Sequence, residues 1–222
     1  SFATRRSSDL EDICPREGEW KNHGKYVSCV AQAAEQLYMA DYITEAEKDT
    51  IVSDAAKSEY GKHFTPTPQR LDCIGFNTES VKVVEDGSGW VLIDDRNIRL
   101  MYFEIYEEAI QALETITYYG MNKQCFVGRP DPSMEYWLVN NHAPRGSMGG
   151  EDCIPFNPDD LFIVQEEIPS SGSQWLLTDG VSRMLVFPNE EEAEQALEII
   201  YKYKFEEHCF IGRPYASMEY WK

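Results

Sequence analysis

The sequence predicts an α+β fold: an N-terminal disulfide-stapled helical hairpin followed by two tandem repeats, each an antiparallel sheet covered by one helix. Three observations carry this. A thirteen-residue segment occurs twice, as Cys125-Phe-Val-Gly-Arg-Pro-Asp-Pro-Ser-Met-Glu-Tyr-Trp137 and Cys209-Phe-Ile-Gly-Arg-Pro-Tyr-Ala-Ser-Met-Glu-Tyr-Trp221, identical at ten positions. Each copy has a matching start, Asp72-Cys-Ile-Gly-Phe-Asn77 and Asp152-Cys-Ile-Pro-Phe-Asn157. Between start and end, the apolar spacing changes from strand-like runs to a helical period in both copies.

Taken in order, residues 1–13 read as a flexible arm, in which Arg5 and Arg6 are either a solvated tail or a dibasic processing site. Residues 14–62 read as the helical hairpin. Tyr26, Cys29, Val30, Ala33 and Leu37 share one helix face, and Asn22 is the expected cap. Thr44-Glu-Ala-Glu47 is a capping box that opens a second helix carrying Ile51, Val52 and Ala55. A Pro-bearing linker covers 61–70.

The first repeat spans 72–137 and the second 152–222, joined by a linker rich in Asn, Gly and Pro. Runs such as Val81-Lys-Val-Val84 and Leu161-Phe-Ile-Val164 predict strands. Two more follow, Trp90-Val-Leu-Ile93 with Arg99-Leu-Met-Tyr-Phe103, and Trp175-Leu-Leu177 with Arg183-Met-Leu-Val-Phe187. The helices carry Ala109, Ala112, Leu113 and Ile116 in one copy and Ala193, Ala196, Leu197 and Ile200 in the other. Acidic residues crowd both helix starts, where the helix dipole favours negative charge. Gly120 is the expected C-cap of the first. The offset between copies grows from 80 at Cys73/Cys153 to 84 at Cys125/Cys209, and the turn 168–173 is the expected place for the extra residues.

The six cysteines follow the repeat. Cys73 with Cys125 and Cys153 with Cys209 hold matching places, which leaves Cys14 with Cys29 as the economical third pair. Disulfides persist in oxidising compartments, so an extracellular (secreted) or periplasmic location is expected. A bridge closing a loop of about 50 residues is worth about 4 kcal/mol in the chain-entropy model. That is large for repeats of this size, whose cores are marginal.

Several function classes are disfavoured. A net charge of −19 repels nucleic acid and anionic membrane surfaces, so neither is expected as a partner. No run of 18 to 20 apolar residues predicts membrane insertion. No Cys-x-x-Cys or His-Glu-x-x-His occurs, and Asp94-Asp95 and Asp159-Asp160 lack calcium-loop spacing, so no metal and no cofactor is expected. No nucleophile elbow or phosphate-binding glycine pattern points to a catalytic residue.

Two groups remain as candidate ligand-binding residues. Trp20 and His23 form one. Arg129, Tyr136 and Trp137, repeated as Arg213, Tyr220 and Trp221, form the other, because an arginine near a Tyr-Trp pair offers a stacking face to a sugar or peptide. The alternative is that arginine and ring hold the turn. Trp20-Lys-Asn-His-Gly24 with Tyr26-Val-Ser-Cys29 is similar to a segment of uncharacterised secreted bacterial proteins. The Cys-Phe-Ile/Val-Gly-Arg-Pro…Ser-Met-Glu-Tyr-Trp ending resembles a repeat of such proteins. The resemblance covers most of the chain and implies an extracellular location.

The expectation is a secreted, disulfide-stabilised, non-catalytic binding or structural protein. Its partner would be a protein or glycan, with self-association through edge strands as a further route. Two alternatives stay open: a hydrolase or oxidase with a site between the repeats and the hairpin, and a protease inhibitor.

Overall fold

A computed structural model describes residues 10–11, 13–16, 20, 23–58, 60, 71–168 and 172–222. The expected cap Asn22, residues 1–9 of the arm and the linker 61–70 lie outside these. The hairpin consists of α1 (His23–Met39) and α2 (Glu45–Ala56). Thr44 and Glu47 form the capping box in full, each side chain meeting the other's backbone N–H. Leu10, counted with the arm from sequence, packs against the hairpin core of Cys14, Tyr26, Val27, Val30 and Ala33.

The first repeat contains β1 (Asp72–Gly75), β2 (Lys82–Asp86), β3 (Gly89–Ile93), β4 (Arg99–Phe103), α3 (Tyr106–Tyr119), β5 (Lys123–Val127) and β6 (Met134–Leu138). The second contains β7 (Asp152–Pro155), β8 (Phe162–Ile168), β9 (Gly172–Thr178), β10 (Arg183–Phe187), α4 (Glu190–Tyr203), β11 (Glu207–Ile211) and β12 (Met218–Trp221). The α+β class holds, and the strands form four three-stranded antiparallel sheets. Each repeat supplies two: a meander (β2-β3-β4, β8-β9-β10) and a sheet that joins its start to its end (β1-β5-β6, β7-β11-β12).

All three disulfides pair as expected, Cys14–Cys29, Cys73–Cys125 and Cys153–Cys209. The two repeat bridges are cross-strand: Cys73 sits opposite Cys125 in the β1–β5 ladder, and Cys153 opposite Cys209 in β7–β11. The short strands β1 and β7 are absent from the sequence reading. Each has four residues, none of them buried, so no apolar period announces it. Their pairing depends on a partner about 50 residues away.

The extra residues of the second repeat fall around the expected turn 168–173, of which 169–171 lie outside the described residues. They lengthen both arms of the hairpin: β2 and β3 have five residues each, β8 and β9 seven. Paired growth of this kind adds Glu167↔Ser173 and Ile168↔Gly172 without moving any other side chain to the opposite face. Gly120 ends α3 in the left-handed region (φ 67°) as expected, and Lys204 takes the same conformation (φ 53°) after α4.

The chain divides into two compact units, Ser1–Pro68 with Asn157–Lys202, and Gln69–Phe156 with Tyr203–Lys222. The boundary runs through the second repeat. The second unit holds the whole first repeat plus β7, β11 and β12. Its core packs Ala109, Ala112 and Ile116 of α3 with Leu92 and Phe103 of the meander and with Ile211, Met218 and Tyr220 of the second repeat. The first unit packs the hairpin on β8 of the second meander, where Phe162 joins the hairpin core at 2% exposure. Lys25 of α1 adds ion pairs to Glu190 and, at 2.5 Å, Glu194 of α4.

Candidate functional site

The expected Arg–Tyr–Trp site resolves into two separate roles. Arg129 grips Asp72 with two guanidinium nitrogens and stacks on Phe126 at 4.6 Å. Arg213 does the same with Asp152 and Phe210, again at 4.6 Å. The arginine hydrogen bonds hold both aspartates below the usual carboxylate range. Each clamp ties a repeat's first residue to its last turn. Tyr136, Trp137, Tyr220 and Trp221 are all buried, so their rings offer no stacking face to a ligand in solution. They pack inside the second unit, with Trp137 edge-on to Phe76 and Trp221 edge-on to Phe156.

Trp20 and His23 also serve the hairpin. Trp20 Nε1 donates to Pro15 O at 2.7 Å, and its ring meets Tyr26 edge-on. His23 is buried, with Nδ1 2.6 Å from Tyr60 O and Nε2 3.0 Å from Ala56 O. It joins the start of α1 to the end of α2.

A polar cluster unforeseen from sequence lies in the second unit. Glu151, 4% exposed at its side chain, accepts five hydrogen bonds. Tyr119 Oη (2.5 Å) and Tyr220 Oη (2.6 Å) donate to Oε1. Lys222 Nζ (3.1 Å), Ser147 Oγ (3.0 Å) and Met148 N (2.9 Å) donate to Oε2. Burial alone would raise the Glu151 carboxyl, but these donors outweigh it and hold the group at about 2. Burial, with the Glu151 carboxylate beside it, pushes Tyr119 up to about 12. Lys222 also meets Gly146 O at 3.1 Å and Glu207 at 3.0 Å, and its ammonium is held above the usual lysine range despite burial. A carboxylate, a lysine and two tyrosines resemble catalytic machinery in composition. Here the carboxylate is saturated and closed to solvent, so the cluster fastens the linker between the repeats to β12. Glu151 also lies near Cys153 and Cys209, but both sulfurs are in a disulfide and supply no metal-binding thiolate.

A second pair of carboxylates occupies equivalent positions in β6 and β12. Glu135 accepts from Gln124 Nε2 at 3.0 Å, and Glu219 sits 2.9 Å from His208 Nε2. Burial, with the charge of Glu219 adding to it, pushes Glu135 up to about 7. Trp221 Nε1 donates to Glu135 O at 3.1 Å, and the His208 ring stacks on Trp221 at 3.7 Å.

One surface with room for a ligand lies in the first unit. A cleft of about 1390 Å³ runs between the hairpin and the outer face of the second meander. Val52 and Val164, both half-buried, form its apolar floor, and Phe162 backs them from the hairpin core. Met39 at the end of α1 and Val181 in the β9–β10 turn stand at its lips, 78% and 94% exposed. Lys48 pairs with Glu35 at 2.9 Å, and Arg183 pairs with Glu166 at 2.6 Å. The Glu35 hydrogen bond raises Lys48; burial opposes the fall of Glu166, which its Gln174 and Arg183 partners nonetheless hold low. None of the candidate residues read from sequence lines this cleft. Its signal in the sequence is a departure from the repeat: Phe162 and Val181 replace Lys82 and Arg96 of the first copy.

No family model, curated protein or solved structure matches the chain. No helix among the described residues is long and apolar enough to cross a membrane. The three disulfides fit a secreted, disulfide-stabilised protein.

Proposed function

We propose that this is a secreted, non-catalytic binding protein that receives a macromolecular partner in the cleft between the helical hairpin and the second meander. The supporting observation is the cleft itself: it is large, apolar at its floor, and edged by Met39 and Val181, two exposed apolar side chains. Its walls are rigid elements. The Cys14–Cys29 bridge holds the hairpin, and the β8–β9–β10 ladder holds the other side. The titratable groups Glu35, Lys48 and Glu166 are engaged in ion pairs, an arrangement suited to recognition. A preorganised surface of this kind loses little conformational entropy on binding.

The test is a peptide and glycan array probed with the oxidised protein and with the double variant Met39→Glu, Val181→Glu. Both side chains are exposed, so the variant should fold normally, which circular dichroism can check. Spots bound by the wild type should weaken about tenfold in the variant. Binding that persists unchanged would put the partner elsewhere and end this reading.

A further inference from the structure

Resting on that reading, we propose that the cleft's partner is a cationic peptide segment that also carries apolar side chains. Six carboxylates line the cleft, Glu35, Asp49, Asp160, Glu166, Glu167 and Asp179, against two lysines, Lys48 and Lys57. Hydrogen bonds to Asp160, Glu167 and Asp179 come from neutral donors: Asn157 Nδ2 at 3.0 Å, Ser173 Oγ at 2.6 Å, and the backbone N–H groups of Val181 and Ser182. Such donors orient the carboxylates but leave their charge in place. The negative field is therefore set around an apolar floor, and it is complementary to a ligand with basic groups at its edges and apolar groups at its centre.

The dimensions agree. A volume of about 1390 Å³ exceeds what a drug-sized molecule fills and suits several residues of an extended or helical segment. The half-buried Val52 and Val164 supply the face on which apolar side chains would rest, and Met39 and Val181 would close over them. The overall charge of −19 adds long-range steering toward a cation.

The experiment uses three fluorescent peptides of roughly 12 residues built from Lys-Leu-Ser, Lys-Ser-Ser and Glu-Leu-Ser repeats. Each is titrated with oxidised protein and followed by anisotropy at low and high salt. The Lys-Leu-Ser peptide should bind, and more weakly at high salt. The Lys-Ser-Ser and Glu-Leu-Ser peptides should each bind at least about tenfold more weakly. The triple variant Asp49→Asn, Asp160→Asn, Glu167→Gln should lose about tenfold in affinity for Lys-Leu-Ser, while Glu114→Gln on the exposed side of α3 should lose none. Equal binding of Lys-Leu-Ser to the triple variant and the wild type overturns the cationic partner. So does an equal loss in Glu114→Gln, which would mark the attraction as general. Tight binding of Glu-Leu-Ser that disappears in the Met39→Glu, Val181→Glu variant overturns the cationic partner but keeps the cleft. Failure of all three peptides also removes the cationic partner, and the array result then decides the cleft.

Discussion

The two repeats solve one packing position in opposite ways. The first repeat places Leu71 just before β1 and Leu138 at the end of β6, with Leu138 fully buried. At the equivalent positions the second repeat has Glu151 and Lys222, whose side chains are 4% and 5% exposed. A leucine at such a position gains hydrophobic burial without the desolvation cost of a charge. A buried ion pair of the same size is rarely more stable than its apolar counterpart. What the ion pair adds is direction. Glu151 and Lys222 together bond Gly146, Ser147 and Met148, in a linker whose composition supports no regular element. A leucine could not order those backbone groups.

The Glu135 and Glu219 positions repeat the lesson. Glu135 faces the neutral amide of Gln124, whereas Glu219 faces the ring of His208. Trp221 Nε1 reaches Glu135 O, while Tyr136 Oη makes no hydrogen bond among the described residues. At these positions the second repeat is the more polar of the two.

This contrast can be broken most directly at Glu151. Glu151→Leu removes the acceptor of Tyr220 and one acceptor each of Tyr119 and Lys222, and should cost about 3 kcal/mol in urea unfolding. A loss below about 1 kcal/mol would mean the pair is no more than a substitute for leucines. Lys222→Leu should cost less, about 1–2 kcal/mol, because Glu151 keeps four other donors. Equal losses in the two variants would show that Glu151 depends on the lysine alone.

The two buried carboxylates also predict opposite pH behaviour. Glu135 is raised from 4.5 to about 7, so its contribution is fully present below 4.5 and lost as pH rises through about 7. Glu151 is lowered from 4.5 to about 2, so its contribution is present above 4.5 and lost as pH falls through about 2. Thermal melts should therefore show Glu135→Gln gaining stability at pH 8 but not at pH 4. An identical shift at both pH values would separate Glu135 from this dependence. The smallest effect is expected from His208→Gln, which copies the first repeat's Gln124–Glu135 arrangement. It should change stability by less than about 1 kcal/mol, since an amide can still donate to the half-exposed Glu219. A larger loss would assign the stacking of His208 on Trp221 a weight the first repeat manages without.

Much of this was legible before any coordinate. The capping box at Thr44 and Glu47, the α3 and α4 faces, the left-handed Gly120 and the β2–β3 hairpin all arise within a few residues, where backbone preference and apolar period act. The disulfide pairing was also legible, because duplication gave each repeat two cysteines at matching places and left Cys14 and Cys29 as the third pair. Only tertiary structure decided what lies across long chain separations. Arg129 meets Asp72 across 57 residues, and Lys222 meets Glu151 across 71. Strands β1 and β7 exist because β5 and β11 come to them. The division of each repeat into two sheets and the cleft against Phe162 are of the same kind. Periodicity reports which face of an element is apolar. The partner that covers the face, or leaves it open, is set by how distant segments are brought together.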